Sequence, residues 1–129
     1  SSDVCSSDLL TTPKDLINFY FTAIKTKNFE SLETIFDSNC QISGPLGETD
    51  NLANFIEALQ LITAFIDNIV IQHMWSDGDD VITWAVIHSS QTPPLTIVNW
   101  SHVTDNKISE MRVLFDTSLL PKLQSEVRF

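Results

Sequence analysis

Basic residues are scarce: seven lysines and arginines face seventeen aspartates and glutamates, for a formal net charge of −10. So acidic a chain offers no positive patch to a phosphate backbone or an anionic bilayer, and neither nucleic acid nor a membrane is expected as a partner. Long apolar runs are missing too; none approaches the roughly 20 residues of a membrane-spanning helix. Cysteine is confined to Cys5 and Cys40, too few for a disulfide framework, and a reducing, cytoplasmic setting is the expectation. No HxH, HExxH or cluster of His, Cys and Asp at ligand spacing occurs, so no metal is expected. No P-loop, GxGxxG or Ser/His/Asp order occurs either, and no cofactor is expected.

The first ten residues repeat Ser-Ser-Asp and hold no base; the first is Lys14. Without a basic start and an apolar run they do not read as a secretory signal. Residues 3–9, DVCSSDL, look like the translation of a common sequencing adapter. Residues 1–9 are therefore expected to be a sequencing or cloning artefact, or else a disordered arm, and residues 10–129 a single domain.

What is present is a change of texture. Thr12-Pro13-Lys14-Asp15 reads as a helix start, with a Thr cap, Pro at the first position and an acid three residues after the cap. Leu16, Ile17, Tyr20, Phe21 and Ile24 follow at helical spacing. Asn28 can cap a second, short helix carrying Leu32, Ile35 and Phe36, and CQIS (40–43) reads as a short strand before the breaker loop GPLGE (44–48). Asp50 is placed to cap a third helix with Leu52, Phe55, Ile56, Leu59, Ile62 and Phe65 on one stripe. From residue 68 the pattern turns to strands: NIVIQHMW, the turn SDGDD, VITWAVIHSS, the break QTPP, LTIVNWSHV, the turn TDNK and ISEMRVLFD. Four long strands in antiparallel succession behind three helices predict an α+β domain with helices covering one face of a curved sheet.

Alternation divides the strand faces. Ile82, Trp84, Val86 and His88 share one side of the second strand. On the third, Leu95, Ile97, Asn99, Ser101 and Val103 oppose Thr96, Val98, Trp100 and His102; on the fourth, Met111, Val113 and Phe115 share a side. Both faces are apolar, so the sheet needs two covers: its own helices on one side and a second copy of the chain on the other. A homodimer through the outer sheet face is the expectation.

The segments KNFESLETIFDSNCQI and NWSHVTDNKISEMRVLFD, within a match over roughly residues 12–118, resemble the nuclear-transport-factor-2-like superfamily, which includes SnoaL-like polyketide cyclases and ketosteroid isomerase. The resemblance implies a cone: a curved antiparallel sheet wrapped around three N-terminal helices, with a pocket at the open end. It also implies roles. Tyr20, in FYFTAI, resembles the tyrosine of the family's first helix, and Asn99, in IVNWS, falls where the isomerase has a protonated Asp. Both could donate to one carbonyl oxygen. The isomerase's base falls on Gly44, which has no side chain, so steroid isomerisation is not expected. Asp116 sits in the aromatic-then-Asp ending where SnoaL-like members often have a catalytic Asp; its bland role is to cap a helix begun by Thr117 and Ser118. The superfamily's epoxide hydrolases use an Arg between two acids, and Arg112 points outward without such a triad.

Acid–base work would then fall to Asp116 or to His88, which shares a face with Trp84. Phe55, Trp84, Val86, Met111, Val113 and Phe115 are the expected apolar lining. Two readings stand side by side. One is a cofactor-independent isomerase, cyclase or hydratase acting on a small hydrophobic, carbonyl-bearing molecule. The other is a cone of the same fold that binds such a ligand, or dimerises, without chemistry.

Overall fold

The computed structural model describes residues 12–45 and 47–116. The leader, Cys5, Thr117 and Ser118 lie outside them. Helix α1 (Pro13–Lys25) starts as its sequence dictates: Thr12 is extended, its Oγ1 accepts from the Asp15 amide at 3.1 Å, and Pro13 opens the first turn. Its buried face is Leu16, Ile17, Tyr20, Phe21, Ala23 and Ile24. Lys27 takes a left-handed φ of 58° and the Asn28 amide donates back to the Ala23 carbonyl, which ends the helix.

The expected second helix is a 3-10 segment, Phe29–Thr34, because only Leu32 of its residues has core to enter. Phe36 belongs instead to β1 (Phe36–Gly44), which extends well beyond the expected CQIS. β1 pairs antiparallel with β2 (Gly47–Thr49), Gly44 opposite Gly47, and Gly47 takes a φ of 131°. Helix α2 (Leu52–Thr63) is capped by Asn51, whose side chain accepts from the Asn54 amide at 3.0 Å, rather than by Asp50. Phe65 falls just past its end.

Strands β3 (Asn68–Asp77), β4 (Asp80–Ser89), β5 (Thr92–Thr104) and β6 (Lys107–Leu114) complete one open sheet in the order β2-β1-β6-β5-β4-β3. Gly78, at φ 62°, turns the first hairpin; Asp105 and Asn106, both at positive φ, turn the last with the handedness that tight hairpins favour. The sheet is mixed, not wholly antiparallel: β1 runs parallel to β6. Register shifts within the β1–β6, β3–β4, β4–β5 and β5–β6 pairs bend it into the cone.

The concave face holds α1, α2 and the core. Val81, Thr83 and Ala85 of β4 are fully buried there. Two cross-strand rows cover the convex face. One is His73–Trp84–Val98–Leu114 and the other Trp75–Ile82–Trp100–Arg112. Trp75, Ile82, Trp84 and Leu114 are exposed. Beside them Arg112 lies over the Trp100 ring, 5.6 Å from its centroid, and pairs with Glu110 at 3.2 Å. Asp80 and His102 form a further pair at 2.8 Å, and this hydrogen bond raises the His102 pKa above its ordinary value.

Candidate functional site

A cavity of about 100 Å³ lies where α1 and the C-terminal half of α2 meet the concave face. α1 contributes Tyr20, Phe21 and Ile24; α2 contributes Phe55, Leu59, Ile62 and Thr63. Ile69, Ile87, Leu95, Ile97, Asn99 and Val113 form the sheet side, with Phe115 just beyond β6. Ile62, Ile66, Ile87 and Phe115 are only half-buried, which puts solvent access on their side.

Two polar groups matter in this apolar wall. Asn99 is 1 % exposed, and its Oδ1 accepts from Ser101 Oγ at 2.7 Å. Its structural partner is thus Ser101, not Tyr20. Tyr20 is 3 % exposed, its ring packed edge-on against Phe21 and Phe36 at 5.1 and 5.8 Å. Burial pushes its pKa far above the usual phenol value, so the hydroxyl stays protonated and serves as a donor. Among the described residues neither that hydroxyl nor the Asn99 amide nitrogen donates to another protein group. Both residues belong to a cavity wall whose surface is almost wholly apolar.

The expected site residues divide. Tyr20, Asn99, Phe55, Val113 and Phe115 line the cavity. Met111 is fully buried but sits level with Ser101, one pairing further from the opening than Asn99, and does not reach it. Trp84, Val86 and His88 are corrected: they lie on the convex face, with Trp84 and His88 exposed, because Thr83, Ala85 and Ile87 take the inward positions of β4. Asp116 is exposed at the strand end and is not part of the lining, as alternation from the inward Phe115 requires. Its suggested capping partners fall outside the described residues.

The rest of the lining was not foreseen as such, Phe21, Ile24 and Thr63 among it. The first two were legible only as core; Thr63 had no signal beyond following Ile62 on the α2 stripe. Gly44 has a structural reason to be glycine: a Cβ there would lie 3.1 Å from the Val113 carbonyl oxygen. A side chain at that position would need the β6 backbone to give by a few tenths of an ångström. No group of three or more His, Cys, Asp or Glu that could hold a metal occurs among the described residues. No helix there is long and apolar enough to cross a membrane.

Thr83, directly opposite Asn99 on β4, is fully buried and its Oγ1 has no hydrogen-bond partner. An unmet hydroxyl costs about 1–3 kcal/mol. Thr83→Val is therefore expected to stabilise the domain by about 1 kcal/mol, raising the melting temperature by about 4 °C. Loss of stability in thermal or urea unfolding would mean that the hydroxyl is satisfied by a buried water.

The open curved sheet, with its helices on the concave side and a cavity at its wide end, defines a nuclear-transport-factor-2-like cone. Residues 17–111 match the SnoaL-like domain family, and the chain belongs to it. Among curated proteins, no relative matches the sequence. Solved structures share the fold. IdmH, a candidate polyketide cyclase from Streptomyces antibioticus, is 20% identical with a TM-score of 0.74, over 88% of this chain and 98% of its own. A candidate ketosteroid isomerase from Kribbella flavida is 14% identical at 0.72, over 81% and 77%. An NTF2-like protein of unknown function from Cytophaga hutchinsonii is 20% identical at 0.72, over 83% and 92%. At these identities the likeness is one of fold.

Proposed function

We propose that this domain binds a small, largely hydrophobic, carbonyl-bearing molecule, its body in the cavity and its oxygen at Asn99 and Tyr20. The observation that carries this reading is the pair of buried donors without protein acceptors on an apolar wall. Size narrows the occupant. About 100 Å³ is less than the roughly 150 Å³ that holds benzene, and far below pockets of roughly 300 Å³ and more for drug-sized ligands. A ring of about six heavy atoms is therefore the upper limit for a molecule held whole, and the alternative is the head of a longer molecule whose tail leaves between Ile62, Ile66 and Phe115.

Binding without turnover is favoured over chemistry. Two donors on one oxygen would help a reaction through an enolate. Yet the one ionisable group in the described lining is Tyr20, held protonated, while His88 and Asp116 sit elsewhere. Cyclopentanone is expected to bind the wild type, measured by calorimetry, and to bind Asn99→Leu about tenfold more weakly. Equal affinity for the two would defeat the assignment of Asn99. No exchange of the ketone's α-protons for deuterium beyond the buffer rate is expected; protein-dependent exchange would establish isomerase- or cyclase-type activity instead.

For the convex face we propose a second copy of the chain as partner. Two rows of mostly large apolar side chains lie there, and a two-fold dimer would bury each copy's rows against the other's, with the adjacent Glu110 and Arg112 free to exchange partners. With a net charge of −10, a chain brings few bases to any contact, and this face holds one of them beside an acid.

A further inference from the structure

Asn99 and Ser101 sit two residues apart on the concave face of β5 and are joined by the 2.7 Å bond from Ser101 Oγ to Asn99 Oδ1. Rotation of an asparagine amide by half a turn exchanges its oxygen and nitrogen, so which end faces the cavity depends on what holds the other. In the observed orientation the serine proton and the amide oxygen satisfy each other, and two N–H groups are left over. In the reverse orientation the amide would donate to Oγ. One N–H, the serine proton and the amide oxygen would then all go unmet. The serine hydroxyl makes its one side-chain hydrogen bond to the amide, and Thr83 Oγ1, opposite Asn99 on β4, bonds to neither. Inside a protein the orientation with fewer unmet groups is favoured.

We propose that Ser101 is a positioning residue that locks the Asn99 NH2 toward the cavity. The chamber then accepts molecules presenting a hydrogen-bond acceptor, such as ketones and aldehydes, and rejects those presenting only a donor. This selection rests on the ligand-binding reading above; the lock itself does not.

The test compares three probes of similar size: cyclopentanone, an acceptor; cyclopentane, with no polar group; and pyrrole, an N–H donor. Wild type is expected to prefer cyclopentanone to cyclopentane by about tenfold and to hold pyrrole no better than cyclopentane. In Ser101→Ala the amide is free to turn, so the ketone preference should shrink to about twofold while pyrrole gains. Ser101→Thr keeps the hydroxyl and should restore the wild-type order. Independently of any ligand, nuclear Overhauser effects from the Asn99 NH2 protons should run to Val113 and other lining side chains in wild type. In Ser101→Ala they should redistribute. Equal affinities for cyclopentanone and cyclopentane, or an unchanged order in Ser101→Ala, overturn the inference but leave the cavity a ligand site. Failure of all three probes to bind overturns the ligand reading and the selection together. Contacts from the NH2 protons to Ser101 instead of the lining overturn the lock.

Discussion

Asn99→Asp is expected to destabilise the domain by about 3–5 kcal/mol near neutral pH, and the loss is expected to fade as the pH falls toward about 4. The side chain is 1 % exposed, its one bonded neighbour is a serine hydroxyl, and apart from the neutral hydroxyls of Thr83 and Tyr20 its surroundings are mostly apolar. A carboxylate there keeps one hydrogen bond from Ser101 and can gain another from Tyr20, but it loses its water and finds no cation in the described lining. Desolvation therefore raises its folded-state pKa above the roughly 3.9 of the unfolded chain. The folded protein then binds that proton more tightly than the unfolded one. Below the unfolded pKa both states are protonated and the substitution costs little. The penalty grows as the pH rises from there to the folded pKa, and is constant above it. Urea unfolding of both proteins between about pH 4 and pH 8 isolates the effect as a difference, which removes the acid response of the other carboxylates. Against a typical domain stability of about 5–15 kcal/mol the change is large. Asn99→Leu, with no titrating group, should show a difference that does not vary with pH. A small, flat penalty for Asn99→Asp would mean that position 99 is wet, and the case for a dry chamber with two donors would fail with it.

Much of this architecture is written locally. The start of α1 is fixed by Thr12 and Pro13, and the hairpin turns by Gly78 and by Asp105-Asn106. The split of β5 into an Asn99 face and a Trp100 face follows from strict alternation. What alternation does not say is which face looks inward. On β4 Trp84 and Val86 read as lining, whereas Val81, Thr83 and Ala85, none of them larger than a valine, are the buried ones. The reason is spatial: α1 packs against β3 and β4, and close approach of a helix favours small side chains beneath it. Hydrophobicity alone is misleading where both faces are apolar. The parallel pairing of β1 with β6 joins segments about seventy residues apart, and no local pattern encodes it. The cavity's volume depends on where the wall residues Phe21, Phe55 and Phe115 place their rings, which composition does not reveal. Ser101 was visible as a neighbour of Asn99 on its face; that its hydroxyl would bond the amide, and so orient it, required the rotamers of both.

Trp84→Glu is expected to dissociate the proposed dimer by more than about a thousandfold while leaving the fold and the cavity intact. Trp84 is 42 % exposed in the single chain, near the middle of the row His73–Trp84–Val98–Leu114, so its removal takes little from the core. At an interface the same indole would be a buried aromatic anchor, whose truncation typically costs about 2–4 kcal/mol. Glutamate adds to that loss: a two-fold axis through the face brings the two new carboxylates toward each other, on a chain already carrying a charge of −10. Sedimentation at about 10 µM should give twice the chain mass for wild type and a single chain mass for the variant, with matching circular dichroism and matching cyclopentanone affinity. High salt should strengthen the wild-type association modestly, because it screens the repulsion between two chains of charge −10, while the exposed Arg112–Glu110 pair is worth little and the apolar rows are insensitive to it. A wild-type protein that stays monomeric at this concentration would leave the convex face without its proposed partner. A Trp84→Glu variant that stays dimeric would move the interface elsewhere. Either result would leave the buried amide untouched, because the two faces of β5 carry separate claims: Asn99 and Ser101 point into the cone, while Val98 and Trp100 point away from it.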